Sequence, residues 1–132
     1  MEDVVDRILD GAKTVAVVGL SDNPDRPSHY VALYLQERGY RIIPVNPMLR
    51  EVLGEKSYGS LTEIPGGADL VDVFRESVAV PRIAEEAIRI GANFFWMQEG
   101  VVSEQAREML AAAGIPVVMD RCIKKELEIR GR

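Results

Sequence analysis

The residues best suited to hold a phosphate lie between Gly19 and Ser28, in the stretch GLSDNPDRPS. Gly19 has no Cβ and lets backbone come close to a ligand. Ser21 and Ser28 supply hydroxyls, and Ser28 is also a residue type that caps helices. Arg26 offers a forked donor that fits a phosphate. An apolar run, TVAVVG (14–19), precedes the stretch, and an amphipathic segment opens at Ser28. The stretch therefore reads as a loop joining a strand to a helix, a junction that turns free N–H groups and a helix dipole toward an anion. It lacks the three-glycine nicotinamide fingerprint, which points to a nucleotide site of another kind. A plain turn loop with two prolines and a helix cap would use the same residues.

Other residues with chemical potential follow the later apolar runs. Asn46 and Pro47 close RIIPVN; NAD-binding folds carry an acid there for the ribose diol, so an amide argues against NAD. An Asn-Pro pair also simply starts a turn. Phe74 and Arg75 follow DLVDVF, and Arg75 is either a phosphate partner or a solvated charge. Gln98 ends NFFWMQ, and Gly100 permits close approach. Phe94, Phe95 and Trp96 read as packing groups rather than a base-stacking platform. Cys122, the one cysteine, stands beside Arg121 with Lys124 and Lys125 nearby. Free cysteines are commonly inert and buried, whereas cationic neighbours raise thiol reactivity. His29, the one histidine, has no second metal-type ligand at useful spacing and reads as structural or solvent-facing. Neither a metal site nor a Ser–His–acid set is expected, and no catalytic residue is assigned.

The elements that must position these groups follow from periodicity. Helices are expected over 2–10, from Ser28 to Gly39, over 80–90, over 104–113 behind a Ser103 cap, and in the tail from Cys122. Strands are expected over 14–19, 41–46, 69–74, 93–98 and 115–120. Pro44 marks the second strand as an edge or irregular strand. Short helical pieces are expected near 51–53 and over 60–64. Alternation of this kind predicts one α/β domain over 1–132, a doubly wound, five-stranded, mainly parallel sheet with helices on both faces. In such sheets ligands bind beyond the carboxyl ends of the strands, where all the residues named above converge.

Composition narrows the partners. The chain has 132 residues and a formal net charge of −5. Nucleic acid is not an expected partner, because nonspecific binding to it needs a basic footprint. No apolar run approaches a membrane span, and the acidic first residues are not a secretory signal. One cysteine makes no internal disulfide, so a reducing cytoplasm is the expected compartment. No protein partner can be named.

Five segments, VAVVGLSDNPDRPSHYVALYLQERGYRIIPVNP, LGEKSYGSL, VDVFRESVAVP, WMQEGVVSEQA and PVVMDRCIKKE, occur in order from about Thr14 to Glu126. Together they resemble the stand-alone CoA-binding domain proteins, related to the nucleotide-binding domain of the succinyl-CoA ligase alpha subunit and of ADP-forming acyl-CoA ligases. The resemblance implies a Rossmann-like fold with coenzyme A, free or as acyl-CoA, along the strand ends. It implies that Gly19, Leu20, Ser21, Arg26 and Ser28 hold the diphosphate region. It sets Asn46 and Pro47 near the adenosine, with Phe74, Arg75 and Val80 beside it. Met97, Gln98 and Gly100 would flank the pantetheine arm, and Cys122 the thiol end. The ligases often carry a lysine shortly after the second-strand proline; here Met48 and Leu49 precede Arg50. The ligases also use a phosphorylated histidine on another domain and an ATP-handling subunit, neither of which this sequence offers. The expected function is a non-catalytic or regulatory CoA-binding module. The alternatives are an NAD(P)-binding oxidoreductase-like domain and a thiol switch in which Cys122 forms a mixed disulfide with CoA.

Overall fold

The computed structural model describes residues 3–132. Helix α1 (Val4–Gly11) opens on Asp3, whose carboxylate accepts from the N–H of Val5. Strand β1 (Thr14–Val18) leads through the polar loop into α2 (Pro27–Glu37). Strand β2 spans Arg41–Val45. A small hairpin, β3 (Glu51–Val52) and β4 (Glu55–Lys56), follows. Then come a 3-10 turn (Leu61–Glu63), β5 (Leu70–Val73), a second 3-10 turn (Ser77–Ala79), and α3 (Val80–Arg89). The chain closes with β6 (Phe94–Met97), α4 (Glu104–Ala112), β7 (Val117–Val118) and α5 (Ile123–Ile129).

The principal sheet has the order β2-β1-β5-β6-β7, and every pairing in it is parallel. The fold is thus Rossmann-like, with helices on both faces. Strand parity sorts the core. Ala16, Val18, Val71, Val73, Phe95 and Met97 face the layer built by α3 and α4. Val15, Val17, Leu70 and Trp96 face the layer built by α1, α2 and α5. Asp72 shares the parity of Leu70, lies between Val17 and Trp96, and is fully buried.

Pro44 does mark an edge. Its missing N–H falls on the outer side of β2, where its carbonyl accepts from the N–H of Tyr58 and the N–H of Asn46 donates to the Tyr58 carbonyl. The expectation of a helical turn near 51–53 is overturned. Leu53 and Gly54 both have positive φ, at 55° and 77°, and form the two-residue turn of the β3–β4 hairpin. Such turns match the twist of the strands they join, and leucine at the first position gave no turn signal. The last strand is shorter than expected, since only Val117 and Val118 pair with β6.

Candidate functional site

Strand order decides where a ligand can sit. From β1 the chain crosses to β2 on one side, while β5, on the other side of β1, leads away to β6 and β7. The connections diverge between β1 and β5, and beyond the carboxyl ends of these strands a crevice opens. Gly19 and Phe74 form its floor. The Gly19 N–H donates to Val45 and the Phe74 N–H to Val18. Gly19 has φ of +90°, and a Cβ there would come within 2.6 Å of the Phe74 carbonyl oxygen. Glycine is therefore required by the approach of the neighbouring chain, whatever a ligand requires.

A cavity of about 610 Å³ occupies this crevice, bounded by the β1–α2 loop, the first turn of α2, the ends of β5 and β6, and α5. Of the residues singled out from sequence, Gly19, Ser21, Arg26, Ser28, Phe74, Arg75, Gln98 and Cys122 line it. Leu20, Val80 and Met97 are fully buried in the core. Asn46, Pro47 and Gly100 do not line the cavity. Tyr30, Lys124 and Lys125 line the cavity and were not picked out as binding residues. The pair Lys124 and Lys125 was visible next to Cys122, but nothing local said that α5 would fold over α2.

The loop is held by its own side chains. Ser28 does not cap α2; Arg26 occupies that position and Pro27 opens the helix, where a missing N–H costs nothing. The Ser28 hydroxyl instead accepts from the N–H of Ser21 at 2.9 Å, drawing the loop's two ends together. His29 Nδ1 meets the Ser21 carbonyl at 2.8 Å, a structural role. Asn46 bridges loops, donating through Nδ2 to the Leu20 carbonyl and accepting through Oδ1 from the Met48 N–H. Gln98 is nearly buried, and its Oε1 accepts from the N–H of Ile123, which anchors the start of α5. The Gly100 N–H donates to Asp120 Oδ1 at 2.8 Å, and Asp120 takes φ of 61° to receive it. Trp96 Nε1 donates to the Arg121 carbonyl, next to Cys122. Cys122 is half-buried at the N-cap of α5.

Charge in the cavity runs against that of the whole chain. Arg26, Arg75, Lys124 and Lys125 line it, against the carboxylates of Glu99 and Glu128. Arg75 is forked onto Glu76, which raises its pKa, and Lys125 Nζ sits 2.9 Å from Glu99. Arg26 and Lys124 take part in no ion pair among the described residues. A second cavity, of about 550 Å³, lies at the opposite end of the sheet beside Thr14, Arg41, Tyr58 and Asp69. Its Asp69 is already engaged by the N–H groups of Lys13 and Thr14, and the strand carboxyl ends lie at the other edge. Among the described residues no cluster of three or more His, Cys, Asp or Glu side chains could hold a metal ion, and no helix is long and apolar enough to cross a membrane.

Known proteins share this sequence pattern and this fold. Residues 13–128 match the family described as "CoA binding domain". The chain is 51% identical over 120 residues to the uncharacterised protein YneT of Bacillus subtilis (strain 168), covering 91% of this chain and 89% of that one. It is 24% identical over 119 residues to an ADP-forming acetate–CoA ligase of Methanocaldococcus jannaschii, covering 84% of this chain but 17% of the ligase. A solved structure of a hypothetical protein from Pyrococcus horikoshii OT3 superposes with a TM-score of 0.91 at 37% identity, covering 95% of this chain and 88% of that one.

Proposed function

This chain belongs to the CoA binding domain family, and we propose that it binds coenzyme A or an acyl-CoA in the crevice at the carboxyl ends of β1 and β5, as a non-catalytic or regulatory module. The observation that carries the reading is the cavity's charge: cations outnumber carboxylates there in a chain whose formal charge is −5. Coenzyme A brings a diphosphate and a 3′-phosphate, so its polyanionic end fits such a place. The β1–α2 loop and Arg26 would hold the diphosphate, with the Ser28 N–H and the favourable dipole of the first turn of α2. Val101 offers apolar surface to the pantetheine arm, which would run toward Gln98 and Cys122.

Calorimetric titration tests this. Coenzyme A should bind with a micromolar or tighter Kd, and dephospho-CoA more weakly. No heat at millimolar coenzyme A would remove the proposal. Trp96 gives a second readout, because its indole is bonded to the carbonyl of Arg121, the residue before Cys122 of the cavity wall; its emission, corrected for absorption by the added nucleotide, should change with coenzyme A and stay constant with NADH.

The position of Cys122 on the cavity wall favours one further reading, a mixed disulfide with the ligand. In that step the Cys122 thiolate attacks one sulfur of CoA disulfide. The new S–S bond forms as the old one breaks, and one CoA leaves as its thiolate. Intact-mass measurement should find one CoA added to the wild type and none to Cys122→Ser. An adduct on Cys122→Ser, or none on the wild type, would reject this reading.

A further inference from the structure

We propose that Lys124 is the residue through which α5 grips the ligand's diphosphate, opposite Arg26; this rests on the CoA reading above and deepens it. The cations of the cavity are not equivalent. Arg75 is committed to Glu76 and Lys125 to Glu99, each at 2.9 Å. A paired cation shares its charge with its carboxylate, and bringing in a phosphate means exchanging part of that contact for the new one. Among the described residues, Arg26 and Lys124 are spared that exchange.

Lys124 is held in another way. Its Nζ lies 5.3 Å from the ring centroid of Tyr30 and 5.3 Å from that of Tyr34. A cation on an aromatic face keeps its charge and its hydrogen-bond donors available, and the contact is weaker than a charge-assisted bond to phosphate. Tyr30 stands four residues after Arg26, one turn into α2. The ammonium is therefore parked over the first and second turns of α2, between Tyr30 and Tyr34. Glu128, one turn further along α5, lines the same cavity but makes no ion pair with Lys124. Two cations from separate elements, neither neutralised, thus border one cavity. Tyr30 and Tyr34 act as the resting place from which Lys124 reaches the anion.

The test compares wild type with Lys124→Met and Lys124→Arg. Methionine keeps an apolar stem against the two rings and removes the charge. In Lys124→Met the affinity for CoA and for dephospho-CoA should fall by the same factor, about tenfold or more, the lower end of the worth of one hydrogen bond to a charged group. Lys124→Arg should remain within about threefold of wild type, because the positive charge is kept. Unchanged CoA affinity in Lys124→Met overturns the proposal. So does a loss confined to CoA with dephospho-CoA untouched, which would assign the contact to the 3′-phosphate. If the wild type gives no heat with CoA, the reading of the site fails separately. Titration with inorganic pyrophosphate, followed by amide shifts, then decides this proposal alone. Pyrophosphate binding that Lys124→Met weakens sustains it; equal binding, or none, overturns it.

Discussion

Asp72 offers the sharpest test of how this core is built. It sits in the middle of β5, fully buried, and neither carboxylate oxygen has a hydrogen-bond partner. Burial raises its pKa well above the usual carboxylate value. In the unfolded chain the same group ionises near pH 4. Between that pH and the raised folded pKa, the native state holds one proton that the unfolded state has lost. Stability therefore falls as pH rises through this window, by about 1.4 kcal/mol per pH unit, and levels off above the folded pKa. Asp72→Asn has nearly the same shape and does not titrate. Below about pH 4 the two proteins should differ by less than about 1 kcal/mol, since each buries one neutral polar group. Above it, the variant should gain on the wild type with every unit of pH. Urea unfolding at pH 4, 5, 6 and 7 measures this directly. With a urea m-value of about 2 kcal/mol/M, the gap between the two midpoints should widen by roughly 0.7 M per pH unit. Two midpoint curves that stay parallel from pH 4 to 7 would refute the reasoning, because an ionised, solvated or paired Asp72 produces no such divergence.

Gly19→Ala should cost at least about 2 kcal/mol, because φ of +90° is strained for alanine and the added Cβ meets the Phe74 carbonyl at 2.6 Å; thermal unfolding reads the loss, and a variant as stable as wild type would contradict the close approach of β1 and β5. Asp69 ties the starts of β1 and β5 together. Burial works against its carboxylate, but bonds from the Thr14 and Lys13 N–H groups, with help from Asn93, outweigh that and lower its pKa. Its stabilisation is present above the unfolded pKa and is lost as pH falls through the lower folded one. Asp69→Ala should thus be about 2 kcal/mol less stable than wild type at pH 7, with the difference shrinking below about pH 4; chemical unfolding across pH checks it.

Much of the fold could be read locally. The apolar runs at 14–19, 69–74 and 93–98 are strands because residues covered on both faces lose the alternation of a half-exposed strand. Gly39, Gly91 and Gly114 follow their helices at the left-handed position that ends a helix. Pro44 showed the edge through its missing donor. The hairpin at Leu53 and Gly54 was not legible, because leucine in a positive-φ position carries no turn signal and the pairing of Glu51 with Lys56 decides the geometry. Ser28 likewise had the chemistry of a cap, but Pro27 took the first helical position and freed the hydroxyl for Ser21.

For the candidate site the division is similar. Residue order alone determined that Gly19, Ser21, Arg26, Ser28, Phe74, Arg75, Gln98 and Cys122 follow strand ends, and a parallel sheet gathers all strand ends of one sense at one edge. Only tertiary packing decided the rest. Leu20, Val80 and Met97 stand in the same segments yet point into the core. Tyr30, Lys124 and Lys125 reach the cavity because α5 folds against α2, some 90 residues away along the chain. Arg75 meets its own neighbour in sequence, Glu76, but that Lys125 meets Glu99 while Lys124 meets only the rings of Tyr30 and Tyr34 is decided in space, and Asp72 became an unpartnered acid when β1, β6 and the α1, α2 and α5 layer closed around it. Periodicity reports the face a residue takes on its own element; the neighbours on that face are set by the packing of elements far apart in sequence.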